Sequence, residues 1–287
     1  MGLCFFATDL HGSSKRYRKL FSAIEKENPE AVFLGGDLFP SGLGSIIGVK
    51  SLYDDFLEDV LASEFVRLKQ TLGSGYPSVF LLLGNDDGRF EEQRMEEFEM
   101  QALWSYVHNK SVLWGDYAVY GYAYVPPTPF ILKDWERYDV SAYVDPGCVS
   151  PEEGWRSVPV PKEILKRATI QGDLQQLVEA ADLSRAIFLF HTPPYNTGLD
   201  RAALDGKTID HVDVDVHVGS IAVRRFIESR QPLLTLHGHI HESARLTGTW
   251  KERIGKTFAF SAAHDGEELA LIRFDLEHLD DATRELV

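Results

Sequence analysis

The sequence predicts an α/β protein built around a largely parallel sheet, and three observations predict it. Five short runs, "LCFFAT", "AVFLGG", "SVFLLLG", "AIFLF" and "PLLTL", are each followed by a polar residue. Each run is nearly continuous in apolar side chains, the pattern of a strand buried on both faces. Amphipathic helical patterns follow four of them, as expected where helices carry the chain from one parallel strand to the next.

Taken in order, the first run ends at Asp9. Ser14 then caps a helix through about Glu27, with Tyr17, Leu20, Phe21 and Ile24 on one face and Asn28 and Pro29 as its stop. The second run ends at Asp37. A helix capped by Ser51 runs to about Leu72 and carries Leu52, Phe56, Leu57, Val60, Leu61, Phe65 and Leu68. The third run ends at Asn85, and "RFEEQRMEEFEMQALWSYVHN" reads as one helix over 89–109 whose acids, Glu91 to Glu99, form a solvated face.

Residues 126–161 hold seven of the thirteen prolines, too many for a regular element. Trp135, Tyr138, Tyr143 and Trp155 lie among them, so the segment reads either as a lid over a site or as a packed surface loop. "QGDLQQLVEAAD" and "GSIAVRRFIESR" supply two more helices, before runs that end at His191 and His237. From Ala244 the chain changes character: "ARLTGTW", "KTFAFSA" and "ELALIRFDL" read as antiparallel strands of a second sheet packed on the first. Both sides of 126–161 supply the same kind of strand, so residues 1–287 are read as one domain.

Composition narrows the function. Formal charge is −15, from 44 acids against 29 bases. Such a surface repels nucleic-acid backbone, whose non-specific binding depends on basic side chains displacing counterions, and it disfavours anionic membranes. Two cysteines make no disulfide framework, which points to a reducing compartment. The opening "MGLCFFATDL" lacks a basic n-region, and Phe6 breaks the N-myristoylation pattern. No apolar run approaches membrane-spanning length. The expectation is a cytoplasmic protein without nucleic-acid or membrane partners. Assembly into a homo-oligomer stays open.

In parallel α/β sheets, ligands bind off the carboxyl ends of the strands. The polar residues there are Asp9, His11, Asp37, Asn85, His191, His239 and His241. Two carboxylates, an amide oxygen and four imidazoles form a mixed nitrogen–oxygen set that suits Mn, Fe, Zn or Co better than Ca. Seven ligands exceed the needs of one tetrahedral ion and suit two ions sharing a carboxylate. Mn²⁺ is the expected ion, with Fe, Zn, Ni and Mg as alternatives. His237 precedes this set and is read as a strand-end or supporting residue.

The blocks "DLH" at 9–11, "GGD" at 35–37, "GND" at 84–86, a histidine at 191 and "GHIH" at 238–241 occur in an order that resembles the signature of calcineurin-like metallophosphoesterases. The resemblance runs from about Leu3 to Glu242. It implies a four-layer α/β/β/α sandwich. It places Asp9, His11 and His241 on one ion and Asn85, His191 and His239 on the other, with Asp37 and a shared water or hydroxide between them. That hydroxide would attack phosphorus in line. Two carboxylates and a hydroxide against two divalent ions leave a net positive site inside an acidic protein, which draws phosphate to it.

One position departs from the pattern. Many members carry a histidine after the "GN" pair, where this chain has Asp86. A carboxylate beside two cations stays ionised, so Asp86 is a poor proton donor and would repel a dianionic monoester. A singly charged diester is the better substrate, and members without this histidine are typically phosphodiesterases. Asp86 and His217 are therefore the candidate catalytic residues, His217 taking the missing histidine's role. Asn85, Gly219 and Ser220 are candidate substrate contacts, the last two because a helix N-terminus favours phosphate. The segment from "HTPPY" to His217 is similar to one found in a subgroup of the family and is expected to shape substrate choice. The alternative is a non-catalytic interaction scaffold, as in a subunit of the retromer coat that shares this scaffold.

Overall fold

The five apolar runs all form strands, but they divide between two sheets. The computed structural model describes residues 2–41 and 55–287. The expected cap Ser51 and Leu52 lie outside the described residues. In chain order the strands are β1 (Cys4–Ala7), β2 (Ala31–Gly35), β3 (Ser78–Leu82), β4 (Ser105–Tyr106), β5 (Lys110–Trp114), β6 (Tyr117–Tyr122), β7 (Ala186–Phe190), β8 (Thr208–Ile209), β9 (Val212–Asp213), β10 (Leu234–His237), β11 (Lys251–Ile254), β12 (Thr257–Ser261), β13 (Ala270–Phe274) and β14 (Thr283–Leu286). One sheet has the order β14-β13-β1-β2-β3-β4, the other β11-β12-β10-β7-β6-β5, and β8 and β9 form a separate hairpin.

Each large sheet is mixed. In the first, β1, β2, β3 and β4 are parallel, while β13 runs antiparallel to β1 and β14 antiparallel to β13. In the second, β12, β10, β7 and β6 are parallel and antiparallel β11 and β5 form the edges. The expectation of a purely antiparallel tail is thereby corrected. "KTFAFSA" lies parallel to β10, and "ELALIRFDL" returns to the first sheet beside β1. "ARLTGTW" is not a strand. It begins in a short helix, Ser243–Thr247, because Thr247 Oγ1 bonds back to Ser243 O and Gly248 closes the turn at φ 74°.

Helices cover both outer faces: α1 (Ser14–Glu27), α2 (Ser63–Leu72, preceded by a π-helical stretch over Leu57–Ala62), α3 (Glu92–Met100), α4 (Lys162–Arg167), α5 (Ile170–Val178), α6 (Ile221–Arg230) and α7, the Ser243–Thr247 helix. The four-layer α/β/β/α sandwich is thus the observed fold. Phe21 of α1 meets Phe65 of α2 edge to face at 5.2 Å, and Phe226 of α6 sits 4.9 Å from Phe188 of β7. Between the sheets, Phe33 of β2 packs on Trp114 of β5 and Phe260 of β12 on Phe274 of β13. Aromatic pairs of this kind add to the stabilisation from apolar burial.

Two helix boundaries differ from expectation. Ser13, not Ser14, caps α1, its hydroxyl accepting the Arg16 N–H. The long helix over 89–109 ends at Met100. Ala102 turns to φ 55°, Trp104 Nε1 donates to Met95 O, and Ser105–Tyr106 pair with β3 instead.

Residues 126–161 contain only isolated bridges, such as Leu132 to Trp155. Buried polar groups hold them. Lys133 and Glu136, both fully buried, are paired at 2.5 Å. Lys133 also donates to Thr128 O at 2.8 Å, and Glu136 accepts the Thr128 N–H. Asp134 accepts the Arg89 and Ser157 N–H groups, each at 2.8 Å. Among the described residues no helix is long and apolar enough to cross a membrane.

Candidate metal centre

Although they belong to two sheets, the five strand ends meet. Beyond β1 and β2 the chain continues side by side: Asp9 N–H donates to Gly36 O at 2.9 Å, and His11 N–H to Asp37 O at 2.8 Å. From the second sheet, Gly238 N–H donates to His191 O at 2.9 Å, and His239 N–H reaches the Asp9 carboxylate at 3.1 Å. Backbone groups therefore help fix where Asp9, His11, His191 and His239 stand.

The backbone there is not relaxed. Asp9, His11, Asp37 and His239 have φ of 56°, 47°, 50° and 74°. A left-handed conformation costs a non-glycine residue about 1–3 kcal/mol and persists where surrounding contacts enforce it. Glycine precedes ligands where side chains must approach. A Cβ on Gly84 would lie 2.7 Å from His191 Cε1, and one on Gly238 would lie 2.9 Å from Asp9 Oδ2. The motif glycines thus clear space for the ligands beside them.

One donor atom from each of Asp9, His11, Asp37 and His241 falls within 4.8 Å of the others. His11 Nε2 and His241 Nε2 are 3.2 Å apart, and His241 Nε2 is 3.3 Å from Asp9 Oδ1. Two nitrogens each about 2.1 Å from one ion stand roughly 3–3.4 Å apart, so the spacing fits a shared cation. The second group lies next to it. His191 Nε2 is 2.9 Å from Asn85 Oδ1, and the His239 ring centre is 5.2 Å from that of His191. Asp37 stands between the groups, its Oδ2 3.7 Å from His11 Nε2 and 3.4 Å from His191 Nε2. Its Oδ1 accepts the Asp86 N–H at 2.8 Å.

The donors' chemistry fits divalent ions. Asp9 and Asp37 are 1 % and 2 % exposed, so two carboxylates are buried and call for positive charge. Burial alone would raise the Asp37 pKa, but His191 and His11 outweigh it and hold the group well below the usual carboxylate range. The reciprocal effect acts on the rings. Burial disfavours the charged form of His191, yet Asp37 and Asp9 push it up to about 9, and Asp86, Asp37 and Asp9 do the same for His11. In His239 burial wins and lowers the pKa to about 3. Protons and divalent cations are thus alternative ways to neutralise these carboxylates. His191 Nδ1 donates to Gly35 O at 2.8 Å, so it is the Nε2 proton, facing the site, that a cation would displace.

The other predicted residues sit as follows. Asp86 is close to the centre: its Oδ2 is 3.3 Å from His11 Nδ1, and Oδ1 accepts from Ser41 Oγ. It contacts the candidate ligand His11 on the ring nitrogen away from His241. His237 is fully buried in β10, with Thr192 O and Thr235 Oγ1 at its two nitrogens, and Phe190 stacks on it. His217 lines the cleft that opens from the metal centre, and its Nδ1 is 2.8 Å from buried Asp200. Gly219 and Ser220 differ from expectation. Gly219 N–H goes to Asp200, Ser220 N–H to Pro193 O, and the Ser220 hydroxyl to Asp139. Asp139 also accepts the Ile221 N–H at 2.7 Å. The start of α6, read as a phosphate site, is occupied by this chain's own carboxylate.

Three supporting acids were not assigned from sequence. Asp87 accepts N–H groups from Leu38, Phe39 and Gly84, tying the loop after β2 to the loop after β3. Its place in "GNDDG" suggests only turn formation. Asp139 acts on partners more than 80 residues away, and Asp200 adds His217 and Gly219 to its local bonds with Asn196 and Thr197.

A family model for calcineurin-like phosphoesterases matches residues 5–243. No curated protein matches the chain. Among solved structures, one crystal structure is 16 % identical, covering 100 % of this chain and 99 % of that one, with a TM-score of 0.61. The protein TT1561 of Thermus thermophilus is 18 % identical over 99 % and 98 %, with a TM-score of 0.58. A dimetal phosphatase from Danio rerio is 11 % identical over 94 % and 91 %, with a TM-score of 0.52. The chain belongs to the calcineurin-like phosphoesterase family, with an Asp/His cluster able to hold metal.

Proposed function

We propose that this member of the calcineurin-like phosphoesterases is a dinuclear phosphodiesterase. The observation that carries the reading is Asp37, whose one carboxylate oxygen faces His11 on one side and His191 on the other. Asp9, His11 and His241 would hold one ion and Asn85, His191 and His239 the second, with Mn²⁺ as the ion of first choice. Two such ions supply Lewis acidity at a phosphoryl oxygen and a water that ionises near neutral pH.

The chain's own residues support preference for a diester. Asp86 stands where a neutral donor would have to be, and its carboxylate repels a second negative charge on the substrate. His217 suits proton delivery to the departing oxygen. Asp200 takes its Nδ1–H, which sets the tautomer and leaves Nε2 to exchange the proton. Side chains stand at all seven ligand positions, which favours catalysis over an interaction scaffold. A small phosphorylated substrate fits the acidic surface better than nucleic acid does.

The test is purification with Mn²⁺ followed by assay of bis-p-nitrophenyl phosphate beside p-nitrophenyl phosphate. A higher kcat/KM for the diester is expected. No turnover of either ester by protein with bound metal overturns the reading.

A further inference from the structure

The metal residues occupy one end of a much larger space. A single cleft of about 1070 Å³ takes in His11, Asp37 and His241 and continues between residues 126–148 on one side and 195–218 on the other. Phosphate fills a small part of that volume, and the remainder would hold a drug-sized group.

The walls of the remainder are apolar. Phe130, Ile131 and Tyr143 are 60 %, 58 % and 64 % exposed. Leu204, Ile209 and Val214 line the same cleft, with Ile209 against Gly147 where the two walls touch. Large apolar side chains grouped along a concave surface gain from losing their water to a ligand. The charged groups near them are mainly acidic. Among the described residues that line the cleft, Asp86, Asp145, Asp215 and Glu242 stand against Lys207. A substrate arm carrying further phosphate or carboxylate groups would meet repulsion there, whereas a neutral hydrocarbon arm would not.

We infer that the cleft is a subsite for the hydrocarbon arm of an amphiphilic phosphodiester: one anionic phosphate at the metal centre, with an alkyl or acyl chain lying along Phe130, Ile131 and Tyr143. This rests on the phosphodiesterase reading and names its substrate class. Phe130 and Ile131 are the specificity-determining side chains.

The test separates the two readings. Binding of the methyl, butyl and octyl esters of methylphosphonic acid, all monoanions, is measured by calorimetry on the full chain with Mn²⁺, below each ester's micelle concentration. A fully buried methylene is worth about fourfold in affinity, so even partial burial yields a gain of about tenfold or more from methyl to octyl. Equal affinities overturn the subsite. Phe130→Asp and Ile131→Asp alter exposed side chains and should each remove most of that gain. A gain retained in both places the chain elsewhere and also overturns the proposal. Turnover of bis-p-nitrophenyl phosphate is read in parallel. A chain-length gain without turnover supports the subsite and rejects the hydrolase, whereas turnover without a gain rejects the subsite alone.

Discussion

The crevice and the wall beside it are built in opposite ways. In the crevice, each candidate ligand stands within a few residues of a strand end, and backbone bonds such as His11 N–H to Asp37 O help set its position. In the wall, residues 126–161 have no ladder to follow, and buried side chains do that work: Glu136 on Lys133, Asp134 on Arg89 and Ser157, Asp139 on the start of α6. The difference teaches where each region is fragile. A change in the crevice should remove chemistry and leave the fold, and a change in the wall should do the reverse.

Asp37→Asn tests the first half with the largest expected effect. The variant keeps the shape but loses the charge that faces both half-sites. We expect metal content by elemental analysis to fall from two ions toward none, and diester turnover to fall by about a thousandfold or more. His241→Ala, at the outer position, should lose mainly one ion. A fully metallated Asp37→Asn protein would show that the two half-sites are independent.

His217 stands on the opposite side of the same cleft, in the segment after β7, and the proposed proton transfer would link it to the crevice. Proton delivery matters for a poor leaving group and little for p-nitrophenolate. His217→Gln should therefore slow an alkyl diester by about a hundredfold or more while slowing bis-p-nitrophenyl phosphate far less. Equal slowing of both esters would make the ring a structural prop of Asp200.

Glu136→Ala tests the second half. It leaves the Lys133 ammonium buried without its partner, which costs about 3–5 kcal/mol. Chemical denaturation should register that loss while metal stoichiometry stays unchanged. Lys133→Met combined with Glu136→Leu should recover only part of it, since the apolar pair removes the buried charges but also takes away the partners of Thr128 N–H and Thr128 O.

The same contrast explains what could be read from sequence. The convergence of Asp9, Asp37, Asn85 and His191 was legible because a strand, a turn and a polar side chain are neighbours in the chain. The division of the strands between two sheets was not, since "AVFLGG" and "AIFLF" are alike in composition and neither says which strand lies beside it. The helix over 89–109 was overextended because Leu103, Trp104 and Tyr106 continue an apolar pattern, yet they serve a turn and β4. Asp139 was invisible because the donors it accepts, on Ser220 and Ile221, lie more than 80 residues away. Charge alone did not reveal that Gly219 and Ser220 already have partners.

Asp86→Ala sharpens the crevice side. The carboxylate touches His11 through Nδ1, so its loss frees the ring without removing a ligand. Support of this kind is worth about 10–100-fold in metal affinity. A metal titration should register weakening at one of the two ions, with the fold's stability little changed. If both ions weakened alike, the effect would have to pass through Asp37, whose Oδ1 accepts the Asp86 N–H.

The smallest effect is expected where sheet and wall meet. His108 packs edge to face on Trp135 of the wall at 4.9 Å, and its Nδ1 accepts the Ala123 N–H. Burial, with Arg89, Arg137 and Lys110 nearby, lowers its pKa from 6.5 to about 3. The folded protein therefore keeps the ring neutral where the unfolded chain would protonate it. The stability this neutral ring supports is present above pH 6.5 and is lost as pH falls toward 3. One such group costs about 1 kcal/mol between pH 6.5 and 5.5. On metal-free protein, where ions do not mask the titration, His108→Leu should be less stable at pH 7.5 yet lose less on acidification. Parallel slopes for both proteins would place the acid sensitivity in the crevice, whose histidines then titrate without help from the wall.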